Sequence, residues 1–87
     1  MMGDGMKLTK AQRAVVDLMN DGWELGVYDH DGYRIQKGGL GRGGEARNVH
    51  SSTASCLVAS GAVVKTGNRG FPLLHRYELA DELRIGD

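Results

Sequence analysis

Three histidines, one cysteine and eleven carboxylates are what this 87-residue chain offers for chemistry. Asp29-His30-Asp31 sets three metal-competent side chains in a row, with His50 and His75 elsewhere in the chain. Neighbours on one tight turn do not converge on a single ion, and no histidine stands four residues from another as helical zinc ligands do. Gly32 follows, and Asp-Gly is turn chemistry first. Serine, histidine and aspartate are all present, but no Gly-x-Ser-x-Gly elbow holds a serine as a nucleophile. Cys56 is alone and cannot close an internal disulfide, which fits a reducing compartment. Beside Leu57 it reads as a small core or boundary residue. Gly38-Gly39-Leu40-Gly41-Arg42-Gly43-Gly44 is spaced like a phosphate-binding loop, yet no Gly-Lys-Ser/Thr follows. A binding protein rather than an enzyme is expected, with no catalytic residue, no metal and no cofactor.

The cations are the remaining chemistry. The formal net charge is zero, but it is unevenly spread. Residues 1–33 carry −3, residues 34–77 carry +6, and residues 78–87 carry −3. Local charge decides which surface draws a polyanion, so the basic middle is the candidate binding region. Arg42, Arg47, Lys65, Arg69 and Arg76 would contact phosphates, and Asn68 lies beside Arg69. Ser51, Ser52 and Ser55 would add hydroxyl donors near a helix N-terminus, where backbone N–H groups favour anions. Arg47, His50 and Arg69 are the better candidates for contact with bases. Trp23 and Tyr77 read as core, and Phe71 as the exposed aromatic.

Elements must position these groups. Thr9 and Gln12 form a capping-box pattern, and Ala11, Ala14, Val15, Leu18 and Met19 follow one helical face. This predicts a helix over 9–21, ended by Gly22. The period then falls to two, through Trp23, Leu25 and Val27 and again through Tyr33 and Ile35, which predicts a β-hairpin over 23–37. Residues 38–45 hold five glycines and read as a loop with little reason to keep one shape. A second helix should start between Asn48 and Ser52, capped by Asn48, Ser51 or Ser52. Ala54, Leu57 and Val58 are its expected buried side, and Gly61 its end. Ala62-Val63-Val64 and Leu73 to Leu79 form a second hairpin around the turn 66–70, with Pro72 at a strand entry and Leu73, His75, Tyr77 and Leu79 on one face. Residues 1–7 read as a frayed leader without signal-peptide character. Residues 8–80 read as one domain and 81–87 as a tail. No apolar run approaches the ~20 residues of a membrane helix. The expected class is a single small α+β domain in the order α-β-β-α-β-β.

The segment Val49 to Val64 resembles the recognition helix of winged-helix proteins, with hydroxyl residues leading through a leucine to glycine and a β-branched strand. Lys65 to Leu79, with Gly67-Asn68-Arg69-Gly70 at its tip, resembles the wing. Leu8-Thr9-Lys10-Ala11-Gln12 is similar to the opening of the first helix. A β-hairpin stands where such domains carry their second helix. The resemblance implies a non-enzymatic, cytoplasmic protein that binds double-stranded DNA, a small transcriptional regulator of bacterial or phage origin, with homodimerisation open. A rival of another class is a small phage-type inhibitor or adaptor, anti-CRISPR-like, that binds a protein or nucleoprotein complex. The predicted second helix favours the rival, because its exposed positions hold no Arg, Lys, Asn or Gln to read bases. Cations sharing one face would favour DNA, and cations scattered or paired with carboxylates would favour the rival.

Overall fold

The computed structural model describes residues 8–67 and 73–84. The expected leader 1–7, the end of the expected tail and residues 68–72, with Asn68, Arg69, Phe71 and Pro72, lie outside the described residues. The chain forms helix α1 (Lys10–Asn20), strands β1 (Trp23–Tyr28), β2 (Gly32–Lys37) and β3 (Ala46–Asn48), helix α2 (Ser51–Ser60), strands β4 (Val63–Gly67) and β5 (Leu73–Leu79), and a 3-10 turn at Asp81–Leu83. The strands make one five-stranded sheet in the order β3-β2-β1-β5-β4, with every neighbouring pair antiparallel. This is a small α+β domain with two helices on one sheet. No helix among the described residues is long and apolar enough to cross a membrane.

α1 starts where its capping box closes: Thr9 Oγ1 accepts from the Gln12 amide at 3.2 Å and the Thr9 amide donates to Gln12 Oε1 at 3.1 Å. It stops at Gly22, whose φ of +101° suits glycine. The buried stripe is rotated from the expected one. Val15 and Val16 are buried, Leu18 and Met19 are half-buried, and Ala11 and Ala14 are exposed. Valines bury more apolar area than alanines, so seating them on the sheet is the better use of the contact.

β1 and β2 pair from Trp23↔Lys37 to Tyr28↔Gly32 through the Asp29–Asp31 turn. Trp23 and Leu25 face the helices with Ile35, Tyr77, Leu79, Val63 and Leu57, and together they form the core. Leu25, Ile35, Leu57 and Val63 are its largest fully buried side chains.

Several sequence expectations change. Residues 46–48 form an extra strand between the loop and the second helix. The glycine loop returns the chain along β2, and Lys37 N donates to Glu45 O at 2.8 Å while Val49 N donates to Tyr33 O at 2.9 Å. Gly44 permits this return, since a Cβ there would collide with the Lys37 carbonyl. α2 is capped by His50, whose Nδ1 accepts from the Ser52 amide at 3.3 Å, and not by Asn48, Ser51 or Ser52. Asn48 is held in β3, opposite Arg34. On α2 itself Ala54 and Leu57 are buried, while Val58 is 37% exposed and Cys56 is exposed. Finally, the register of β5 shifts so that His75 faces Val27 but Leu73 faces Tyr28. This irregularity turns Leu73 to the other face of the sheet, where its Cδ1 lies against Gly26. The expected tail is partly packed: Asn20 Nδ2 donates to Leu83 O at 3.0 Å, and Leu83 rests against the core.

Two outcomes follow. Gly44→Ala should lower stability by about 1–3 kcal/mol in urea unfolding, because the new methyl meets backbone that cannot rotate away. Burial, and then the neighbouring Tyr33, push the Tyr77 phenol above its ordinary value of 10.0. A raised acid pKa favours the neutral form in the fold, so this contribution is intact below pH ~10 and is lost as pH rises above it. Tyr77→Phe should flatten that alkaline loss in melting curves taken from pH 9 to 11.

Candidate binding surface

The sheet separates the cations into two groups. Cross-strand partners point to the same face. Arg34, Gly26 and Arg76 are partners across β2, β1 and β5, and they occupy the face opposite the helices. Arg47 is opposite Ile35 and Lys65 is opposite Tyr77, so both belong to the helix face.

On the helix-free face Arg76 makes an ion pair with Glu24. Glu24 is also the anchor of the glycine loop, since its Oε1 accepts from the Leu40 amide at 2.8 Å. Gln36 holds the loop from β2: its Nε2 donates to Gly44 O at 2.8 Å and its Oε1 accepts from the Gly41 amide at 2.9 Å. Leu40 then lies over Gly26. A Cβ at position 26 would be 2.6 Å from Leu40 Cδ1 and 2.9 Å from Leu73 Cδ1. The loop expected to be shapeless is therefore docked by one apolar side chain and two polar ones. Arg42 follows Leu40 on this loop and packs its stem by Gly39. With Arg76 and Arg84 it lines a cavity of about 430 Å³ at the end of the sheet, beside Glu24 and Glu78. Arg84 is paired with Glu78.

On the helix face Arg47 sits on the edge strand with its guanidinium 5.1 Å from the Trp23 ring centre and its Nε 3.2 Å from Glu45 Oε2. The ring's π face attracts the cation, and the cation covers the ring in return. His50 follows, and its Nδ1 lies 2.9 Å from Ser52 Oγ. Ser51, Ser52 and Ser55 are all exposed on α2, and Lys65 is exposed on β4. Arg47, His50, Ser51, Ser52 and Ser55 thus form one stretch running from β3 onto α2. Arg76 is separated from it by the sheet, and Arg42 lines the cavity at the end of the sheet.

Glu24, Gln36 and Gly26 organise the helix-free face and were not among the residues singled out from sequence. Glu24 and Gln36 had one available signal, since their strand alternation points them away from the core. Among the described residues no three of His, Cys, Asp and Glu come together as a metal site. His30 and Asp29 form a local pair at 3.0 Å on the hairpin turn. Neither a protein-family model, nor a curated protein, nor a solved structure matches the chain.

Glu24→Ala should free the loop. It leaves Arg76 without its carboxylate and the Leu40 amide without its acceptor, so hydrogen exchange at Leu40 and Gly41 should speed up. The accompanying loss of global stability should be about 1–2 kcal/mol, kept small by solvent around this part-exposed pair.

Proposed function

We propose that this is a non-enzymatic binding protein whose partner is another protein, which makes it a small inhibitor or adaptor. The observation that carries this reading is the division of the cations. Arg76 lies across the sheet from Arg47 and Lys65, Arg42 lines the cavity at the end of the sheet, Arg76 is matched by Glu24, Arg47 by Glu45, and Arg84 by Glu78. A duplex is gripped by cations that share one face and release counterions together. Cations divided between opposite faces, with Arg47 and Arg76 neutralised in place, make a poor grip. The exposed part of α2 supports the same reading. Ser52, Ser55, Cys56 and Ala59 are small, and Val58 adds an exposed apolar side chain. Small side chains let a partner's backbone approach closely, while they give bases few bidentate contacts. The free thiol of Cys56 suits action in the reducing cytoplasm.

A second reading, a winged-helix-like DNA-binding regulator, is favoured by the start of α2. That first turn has no acidic residue, exposes Ser51 and Ser52, and follows directly on Arg47. A phosphate would be attracted there by the helix dipole and the adjoining cation.

Fluorescence anisotropy with a labelled duplex of random sequence separates the two. A protein-binding module should leave the anisotropy flat at low salt, and Arg47→Ala and Lys65→Ala should change nothing. Ser55→Arg, on the exposed side of α2, should keep the fold and abolish capture of the protein partner from a host lysate. Binding to the duplex that falls steeply with salt, and falls again in Arg47→Ala and Lys65→Ala, would overturn the protein-partner reading in favour of DNA.

A further inference from the structure

The apolar stripe of α1 is only half used by the fold. Val15 and Val16 are buried, whereas Ala11 and Ala14 are exposed and Leu18 is half-buried. These last three border a groove of about 260 Å³ that lies between α1, Ile35 of β2 and the segment from Arg47 to Thr53. Its floor is mainly apolar, with Ile35 and Val49 between the helices. Helix geometry places 11, 14 and 18 along one side of α1. Lys10 and Asp17 flank that line, and both are exposed. Neither has an ion-pair partner among the described residues. They are seven residues apart, or about 10 Å along the helix, which is too far for them to pair with each other.

We infer that a second copy of this chain covers the groove, with α1 of each copy laid antiparallel on α1 of the other and the twofold axis passing at Ala14. The charges argue for this occupant. At 1.5 Å per residue Lys10 lies about 6 Å from the level of the axis on one side and Asp17 about 4.5 Å on the other. The twofold therefore brings each Lys10 level with Asp17 of the second copy, and the pair forms twice. The side-chain sizes follow the same rule. Leu18 comes against Ala11 of the second copy, and Ala14 meets Ala14, so a large side chain always meets a small one. A twofold interface requires that if residue i meets j, then j meets i. The outer side of α1 satisfies that condition in charge and in volume. Antiparallel alignment also sets the two helix dipoles against each other in the favourable sense. A seam of one helix per copy is small, so the expected dissociation constant is on the order of 10–100 µM. This inference does not depend on which partner the protein binds through α2.

Sedimentation equilibrium across a range of protein concentrations tests it. The intact chain should be a reversible dimer. Ala14→Arg puts two like charges at the axis and should raise the dissociation constant at least about tenfold, with an unchanged helical circular dichroism signal because Ala14 is exposed. Lys10→Asp and Asp17→Lys are each expected to be monomeric, since each leaves only like charges facing one another. Both changes suit the local helix dipole, an acid at the N-terminal end and a base towards the C-terminal end, so both variants should fold. An equimolar mixture of the two should form a heterodimer, because every cross-pair is then opposite in sign. A chain that stays monomeric at about 1 mM would overturn the inference. So would a dimer that survives Ala14→Arg, or a mixture no more associated than its components.

Discussion

Leu25 is fully buried, and the strand that carries it is bonded on both edges, to Ile35 of β2 through one partner and to Tyr77 of β5 through the other. β1 is thus the middle of the sheet, and its two faces serve two different purposes. One face gives Trp23 and Leu25 to the core under the helices. The other gives Glu24 and Gly26 to the glycine loop. Because side chains alternate along a strand, both sets are presented by the same few residues. A shift of one residue in this strand would send tryptophan and leucine to the loop side and a carboxylate into the core. The rest of the molecule is arranged around that register.

Gly26 shows how an absent side chain can organise structure. Its open space admits Leu40 and Leu73, which brings the loop down and draws the irregular start of β5 inward. Glu24 then meets Arg76 and the Leu40 amide, and Gln36 meets both sides of the loop. A region rich in glycine gains a defined path from these contacts, and the entropy lost in ordering it is offset by apolar burial and by polar groups satisfied in place. The loop's return along β2 creates β3, and β3 delivers Arg47 to Trp23 and His50 to the start of α2.

Electrostatics on this protein is local. The +6 of the central segment suggests a broad basic field, yet the fold distributes those cations to two faces and brings Arg76 to a carboxylate from the acidic first third. Glu24 comes from the acidic first third, whereas Glu78 pairs with Arg84 of its own segment and Glu45 with Arg47 of the central one. The first and central charge segments, which stand apart along the chain, meet in space at Glu24 and Arg76.

Local information determined both helices, the first hairpin and most of the core. The Thr9–Gln12 box, the alternation through Trp23 and Leu25, and the glycines at 22 and 61 act over a few residues, so their effects are visible without a fold. The winged-helix likeness rests on such local patterns too, and it describes residue classes rather than contacts. Only the tertiary structure decided the rest, because each remaining feature needs atoms distant in sequence. β3 exists because β2 offers it a free edge, and a three-residue strand has no periodicity to read. Leu73 changes face because a partner strand imposes an irregularity. Val58 and Ala14 are exposed because the sheet accepts only part of each helix's apolar side. Which arginines remain free of carboxylates was settled last, by the meeting of residues such as Glu24 and Arg76 across strands, and composition cannot encode that pairing.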